Sequence, residues 1–154
     1  CGAGSRCAQW PGETGPSALL TGLDLQEHRG MNEVIAYLAA SLVALWGVAH
    51  AIPTVQVVAG FEPITTDNRR VLTQEWLAES FTMWGVAAVI VVATAFGGPE
   101  SDVTVWVYRA AAGLLAALAV LTALTGGRTG VIWFKVCPVL LGSAAGLLLV
   151  ASFA

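Results

Sequence analysis

The chain has 154 residues, of which 56% are hydrophobic and only 11% charged, and its net charge is −3. Soluble domains carry about 25% charged residues, so this composition, with a mean hydropathy of +0.75, indicates a membrane protein. The charged residues form no basic tract, and we therefore expect no nucleic-acid partner.

The first thirty residues differ in composition from the rest. The stretch "CGAGSRCAQWPGETGPSALLTGLDLQEHRG" is rich in Gly, Pro and Ser and has no sustained helix or strand period, which is typical of loop or disorder. Met31 stands directly before the first apolar run. We interpret residues 1–30 as a disordered tail or non-native upstream translation, and residues 31–154 as the transmembrane domain. A lipidated Cys1 is the alternative.

Four apolar segments are long enough to cross a bilayer, which takes about 20 residues. They cover about residues 34–53, 76–96, 103–125 and 131–153. The Gly-rich links "GGPESD" and "GGRTG" are short, so the helices that they join must run antiparallel. The sequence therefore predicts an all-α fold, a bundle of four transmembrane helices in antiparallel up-down order.

Aromatic residues mark the ends of these spans. Indole and phenol rings favour the membrane interface because they join an apolar body to a polar atom. Residues of this kind near span ends are Tyr37, Trp76, Trp106, Tyr108 and Trp133.

Small residues within the spans predict close helix packing, because in lipid it is dispersion contact that holds helices together. Ala36, Ala40 and Ala44 recur every four residues in span one, and Gly142 and Gly146 form a GxxxG pair in span four. We interpret that pair as intramolecular packing first and dimerisation second. Pro138 removes one helical hydrogen bond and is expected to bend span four.

Cysteine usage argues against a thiol–disulfide relay. The three cysteines are Cys1, Cys7 and Cys137, and no CxxC pair is present. A thiol–disulfide relay would need a proximal pair. Cys137 lies in an apolar run and is expected to be a small buried apolar residue.

Positive charge near the span ends predicts the orientation. Arg69 and Arg70 lie in the first loop and Arg128 in the third, whereas the "GGPESD" link carries only acidic charge. Loops one and three are therefore predicted to be cytoplasmic and both termini to be outside, in a bacterial inner membrane.

A candidate polar cluster comprises His50, Glu75, Glu79 and Lys135. His50 ends span one, the two acids open span two on one helical face, and Lys135 lies one turn into span four. Because adjacent spans are antiparallel, all four fall at the cytoplasmic level. The cluster could relay protons or hold a cation or a polar head group. The alternative is structural, with Glu79 and Lys135 neutralising each other.

Three further polar residues are secondary candidates. Thr122 and Thr125, at the end of span three, reach the level of the cluster, and Arg109 lies near the opposite face. One His and two Glu without HxxxH or HExxH spacing do not predict a metal site, and we expect no metal and no cofactor.

Residues 31–154 resemble the small four-helix bacterial membrane proteins grouped as DoxX-like. The distinctive stretch is "WGVAHAIPTVQVVAGFEPITTDNRRVLTQEWLAES", with a His–Pro end to the first span and an "EWxAE" start to the second. DoxX-type proteins often carry an Arg early and a Lys late in span one, and here His50 stands near the late position. The resemblance implies a fold more than an activity.

The leading functional hypothesis is a small multi-pass membrane protein with an accessory or binding role. This hypothesis favours a protein that is not an enzyme. One alternative is a small transporter or proton-coupled carrier. Another is a membrane enzyme that uses His50 and Glu79 as acid and base on a lipid-like substrate. The expected partner is the lipid bilayer, and both a homo-oligomer and a partner membrane subunit stay open.

The orientation is tested with single introduced cysteines. Cysteines in the 54–75 loop and in the "GGRTG" link should resist an impermeant thiol reagent added outside intact cells, because those loops are predicted to be cytoplasmic. Cysteines at Pro99 or after Phe153 should react. Reversed labelling, measured against the parent chain, would overturn the orientation.

Overall fold

The protein is built from helices. The computed structural model describes the backbone of residues 16–153 and the side chains of residues 29–153. Five α-helices occur in this part of the chain, and it contains no strand: α1 (Pro16–Ala51), α2 (Thr54–Ala59), α3 (Thr66–Val92), α4 (Asp102–Leu124) and α5 (Ile132–Phe153). A π-helical turn, Ala93–Gly97, continues α3, and a 3-10 turn, Gly126–Arg128, follows α4. The predicted all-α fold is confirmed.

Four of these helices are long and apolar enough to span a membrane. The candidate spans are Arg29–Ala51, Thr66–Gly97, Asp102–Arg128 and Ile132–Phe153. The second has 32 residues and is therefore about 48 Å long, more than the roughly 30 Å of the hydrocarbon core. The chain is thus a small multi-pass membrane protein.

Helix α1 begins earlier than the composition predicts. It starts at Pro16, whereas the sequence predicts loop or disorder up to residue 30. Proline suits the first position of a helix, and extending an existing helix adds hydrogen bonds without a second nucleation cost. Residues 1–15, including Cys1, lie outside the described residues. The assignment of residues 1–30 to a tail or to upstream translation stays a prediction.

The helices pack in the spatial order α3, α1, α5, α4. Helix α1 lies between α3 and α5, and α5 in turn packs along α4. Helices α3 and α4 are consecutive in the chain but touch much less, and part of that contact involves the π-helical turn that ends α3. A groove therefore remains between α3 and α4.

Small side chains allow α1 to occupy the middle of the bundle. Ala36, Ala39, Ala40 and Val43 recur at helical spacing and are buried in the core, as the alanine spacing predicts for Ala36 and Ala40. Their short side chains let the neighbouring backbones approach closely, which favours association in lipid. The position of α1 thus follows from its alanine face.

The glycine pair of α5 lies on a different face from the one predicted. Gly142 and Gly146 are exposed, and a Cβ atom added at either would have no described atom within 4 Å. The buried face of α5 is formed by Cys137, Leu141 and Leu148 with alanines between them. The predicted intramolecular GxxxG contact is therefore not made within the described chain. Pro138 lies inside α5 as predicted.

Tyr108 is a second difference from the sequence prediction. Its ring is 0% exposed, although its place near a span end predicts an interfacial position. The Thr94 hydroxyl donates to the carbonyl of Ile90 at 2.7 Å, and the Tyr108 hydroxyl in turn donates to Thr94 Oγ1 at 2.7 Å. Burial of the phenol is tolerated because its polar atom has this partner.

Gly47 provides a test of the α1–α3 contact. A Cβ atom there would lie 2.7 Å from Trp84 Nε1, whose N–H donates to the carbonyl of Ala44 at 3.2 Å. Gly47→Ala should displace the indole and lower the free energy of unfolding by about 1–3 kcal/mol in detergent. Gly113→Ala is the matched control, because its Cβ would meet nothing within 4 Å. Equal stability of the two variants would contradict the packing described here.

Candidate functional site

His50 and Glu79 meet between α1 and α3. His50 is 8% exposed, and its Nε2 lies 3.1 Å from Glu79 Oε2, whose side chain is 29% exposed. The distance suits a hydrogen bond, but Nε2 lacks an aligned hydrogen-bond partner among the described residues. The contact is therefore a close, imperfectly aligned pair, in which Glu79 retains capacity to accept hydrogen bonds from elsewhere.

Trp76 holds the histidine in place. The His50 and Trp76 rings stack with centroids 4.1 Å apart and an interplanar angle of 11°. The indole N–H of Trp76 also donates to the backbone carbonyl of His50 at 2.7 Å. This carbonyl is available because α1 ends at Ala51, which leaves the last carbonyls of the helix without partners in it. One tryptophan thus anchors both the ring and the backbone of His50.

Glu75 and Glu79 lie on the same face of α3, as their spacing of four residues predicts. Both line a cavity of about 460 Å³ that is open to the outside of the bundle. Phe61, Trp76 and Thr82 contribute to its wall. Glu75 is exposed, whereas Glu79 lies deeper and contacts His50. The two carboxylates therefore have different environments within one cavity.

Lys135 is not the partner of Glu79. It is exposed, and it makes no ion pair among the residues whose side chains the structure describes. The neighbouring Phe134 turns inward instead, and its ring meets Trp76 edge-on at 5.8 Å. A lysine near a helix end can extend its charged group towards water at little cost, so pairing with a carboxylate is not required. The alternative in which Glu79 and Lys135 neutralise each other is therefore not observed.

The hydroxyls of Thr122, in the last turn of α4, and of Thr125, which caps that helix, are satisfied locally. Thr122 donates to the carbonyls of Leu118 and Ala119, at 2.9 and 3.1 Å, and Thr125 donates to Leu121 at 2.8 Å. Such bonds to the preceding turn are common for threonine in helices. Neither hydroxyl is directed to the His50–Glu79 pair by a hydrogen bond.

Arg109 lies apart from this cluster, as predicted. Its guanidinium donates to the carbonyl of Ser152 at 3.3 Å and lies between the rings of Trp106 and Phe153, at 5.4 and 4.9 Å from their centroids. The Ser152 carbonyl belongs to the last turn of α5, which is the negative end of the helix dipole. These contacts stabilise the charge of Arg109 at the opposite end of the bundle, so its presence there is explained by structure alone.

The sequence placed Trp76 at the interface but did not assign it to the site. One signal was available, since Trp76 precedes Glu79 by three residues and so shares its side of the helix. Trp46 was missed in the same way: it precedes His50 by four residues, and its indole N–H donates to Cys137 Sγ at 3.2 Å. Cys137 is buried, as predicted for a small apolar residue.

The described site suits binding of a polar or charged group by carboxylates at the edge of an apolar groove. The residues with described side chains include no cluster of three His, Cys, Asp or Glu that could hold a metal ion. An imidazole beside a carboxylate can share a proton with it, and the wall of the cavity is mostly apolar. Proton exchange and ligand binding are therefore the chemistry open to this arrangement.

No family model, curated protein or solved structure matches this chain. The resemblance to DoxX-like proteins stays a prediction, and the case for a function rests on the geometry of the site.

A double-mutant cycle tests the pairing. Glu79→Gln should lower the free energy of unfolding in detergent by about 1–3 kcal/mol, because it weakens a partly buried charged contact, and Glu75→Gln should have a smaller effect. In a His50→Phe background, which keeps a ring against Trp76, Glu79→Gln should cost less, with a coupling of at least about 0.5 kcal/mol.

Lys135→Met is the control in this cycle, because the structure leaves Lys135 without a carboxylate partner among the described side chains. It should neither change the stability of the parent chain nor rescue Glu79→Gln. A rescue by Lys135→Met, or strict additivity with His50→Phe, would show that Glu79 has a different partner.

Proposed function

We propose that this membrane protein has an accessory or binding role and is not an enzyme, and that it binds its ligand in the cavity beside Glu79. The observation that carries the proposal is the position of Glu79. Its carboxylate contacts His50 on one side and lines the open cavity on the other. A partly exposed carboxylate at the edge of an apolar groove favours a binding site, because ionisable residues within membrane helices commonly line ligand or ion pathways.

The burial of His50 favours binding over turnover. The imidazole is 8% exposed, one face is stacked on Trp76, and Nε2 faces Glu79. A general acid or base must come within hydrogen-bond reach of the substrate, and this ring is covered by its own neighbours. We therefore assign His50 a positioning role, in which it orients Glu79. The same burial counts against the alternative of His50 and Glu79 as an acid–base pair on a lipid-like substrate.

A proton-coupled carrier is the second candidate. The 3.1 Å contact between His50 Nε2 and Glu79 Oε2 favours it, because a proton gained or lost by this pair changes the charge at the wall of the cavity. In a carrier, proton binding and ligand binding would compete for Glu79. The binding role needs only the cavity and the carboxylate, and it is therefore our first proposal.

For the location, we propose a bacterial inner membrane, with the cluster on the cytoplasmic side and both termini outside. Arg69, Arg70 and Arg128 support this orientation, since all three lie at the end of the bundle that carries His50 and Glu79. The resemblance to DoxX-like proteins is consistent with such a protein. In the accessory role, the protein would act as a homo-oligomer or together with a partner membrane subunit.

The binding role is tested by blocking the cavity. Thr82 is exposed and lines it, so Thr82→Trp should fill the space without disturbing the core. Wild-type protein, extracted in a neutral detergent, should carry a bound molecule in native mass spectra, and Thr82→Trp should lose it. Ala88→Trp is the matched control, because Ala88 is exposed on α3 and does not belong to the lining.

The bound molecule also separates the two classes of function. It should be released chemically unchanged after incubation with the protein, as expected for binding. Wild-type protein without any bound mass, or equal occupancy in Thr82→Trp and Ala88→Trp, would refute binding in this cavity. Conversion of the molecule by wild-type protein would establish an enzyme.

A further inference from the structure

The cavity beside Glu79 continues as a longer groove between α3 and α4. A second cavity, of about 340 Å³, lies next along these helices, and Thr82 lines both. The α3 residues of the two cavities run from Leu72 to Val89, while those of α4 run in the reverse direction from Leu118 to Val107. Because the two helices are antiparallel, these residues line two adjoining cavities that follow one another along the pair.

The two ends of this groove differ in polarity. Glu75 and Glu79 lie at one end, whereas beyond Thr82 the wall consists of Gly85 and valines of α3 facing Val107, alanines and Leu114 of α4. Glu79 and Val89 are ten positions apart, which is about 15 Å along the helix. A groove with a charged end and an apolar end of this length matches an amphipathic molecule with a long alkyl chain.

The charged end favours a cation. Its described lining residues include two carboxylates and no Lys or Arg, and the rings of Phe61 and Trp76 lie beside them. Aromatic rings next to carboxylates favour an organic ammonium group, which is attracted by both and is weakly hydrated. A phospholipid head would place its phosphate against Glu75 and Glu79 without a compensating cation in the lining.

The His50 contact leaves Glu79 available to such a ligand. His50 is more than nine-tenths buried, and its Nε2 lies close to Glu79 Oε2 without an aligned hydrogen bond. The carboxylate therefore keeps lone pairs for a second partner, while His50 contacts it on the side away from the cavity. This observation is independent of the shape of the groove, and it favours Glu79 as the contact for the ligand's charge.

We propose that the groove between α3 and α4 binds an amphipathic organic ammonium ion, with its charged head at Glu75 and Glu79 and its alkyl chain between Gly85 and Leu114. This proposal rests on the binding role proposed above and names the class of its ligand.

The test measures binding of hexadecyltrimethylammonium to the purified protein in dodecyl maltoside by native mass spectrometry. Hexadecanol and hexadecyl sulfate, with the same chain but a neutral or anionic head, are the comparison ligands. The ammonium compound should bind most tightly. Glu79→Gln should weaken its binding roughly ten- to hundredfold, as expected for loss of a charge-assisted contact, and Glu100→Gln, at the other end of the bundle, should not.

The tail is tested separately. Gly85 lines the apolar half of the groove, and a Cβ atom added there would meet nothing within 4 Å, so Gly85→Leu should fill the groove without unfolding the helix. It should weaken binding of the ammonium compound at least tenfold, whereas short-chain tetramethylammonium should show no difference. Gly113→Leu is the matched control, because Gly113 has equal space but lies outside the lining.

The outcomes separate this proposal from the binding role itself. Equal binding of the three hexadecyl compounds, unaffected by Glu79→Gln but lost in Gly85→Leu, would overturn the ammonium class and keep the binding groove. Tight binding of added phosphatidylethanolamine that displaces hexadecyltrimethylammonium would also overturn it, in favour of a lipid head. Absence of binding by all added ligands would overturn the ammonium proposal, whereas the binding role itself would be refuted only if wild-type protein also carried no bound mass.

Discussion

The close approach of α1 to both α3 and α5 is the contact on which the remaining structure depends. Alanines on one side of α1 and Gly47 towards Trp84 bring the neighbouring backbones close, and this contact occupies the middle of the bundle. Since α3 and α4 sit on opposite sides of the α1–α5 pair, they touch little, and part of their contact lies at the π-helical turn. The groove between them, and with it the exposure of Glu79, is a consequence of that arrangement.

Indole N–H groups complete the polar contacts that this packing requires. Trp76 and Trp84 on α3 donate to carbonyls of α1, those of His50 and Ala44, and Trp46 on α1 donates to Cys137 on α5. In an apolar environment an unpaired N–H costs free energy. Each indole therefore favours the orientation in which its N–H reaches a hydrogen-bond acceptor. These three contacts connect the same helices as the alanine face. Because hydrogen bonds are directional and dispersion contacts are not, they fix how these helices are oriented relative to each other.

The charged groups are distributed according to their cost in a membrane. At the exposed start of α3, Arg69 pairs with Glu62 of the preceding loop and Arg70 pairs with Asp67, where water screens the charges and little stability is gained. Arg109 lies at the last turn of α5, between two aromatic rings. The pair of His50 and Glu79 differs from both, because its acid faces the membrane groove as well as its partner. That combination makes it the best candidate for function among the described residues.

The sequence by itself determined the class of protein, the number of membrane helices and the level of the polar residues, because hydrophobic length and short Gly-rich links act locally along the chain. The spacing of Glu75 and Glu79 on one helical face was equally local, and the structure has both in one cavity. Neighbouring residues in the sequence do not determine that His50, and not Lys135, is the partner of Glu79. Nor do they determine that Gly142 and Gly146 face outward. Each depends on how a helix is rotated about its axis. The packing of α1 between α3 and α5, together with that of α5 along α4, decided those rotations, since many faces of an apolar helix are equally compatible with lipid.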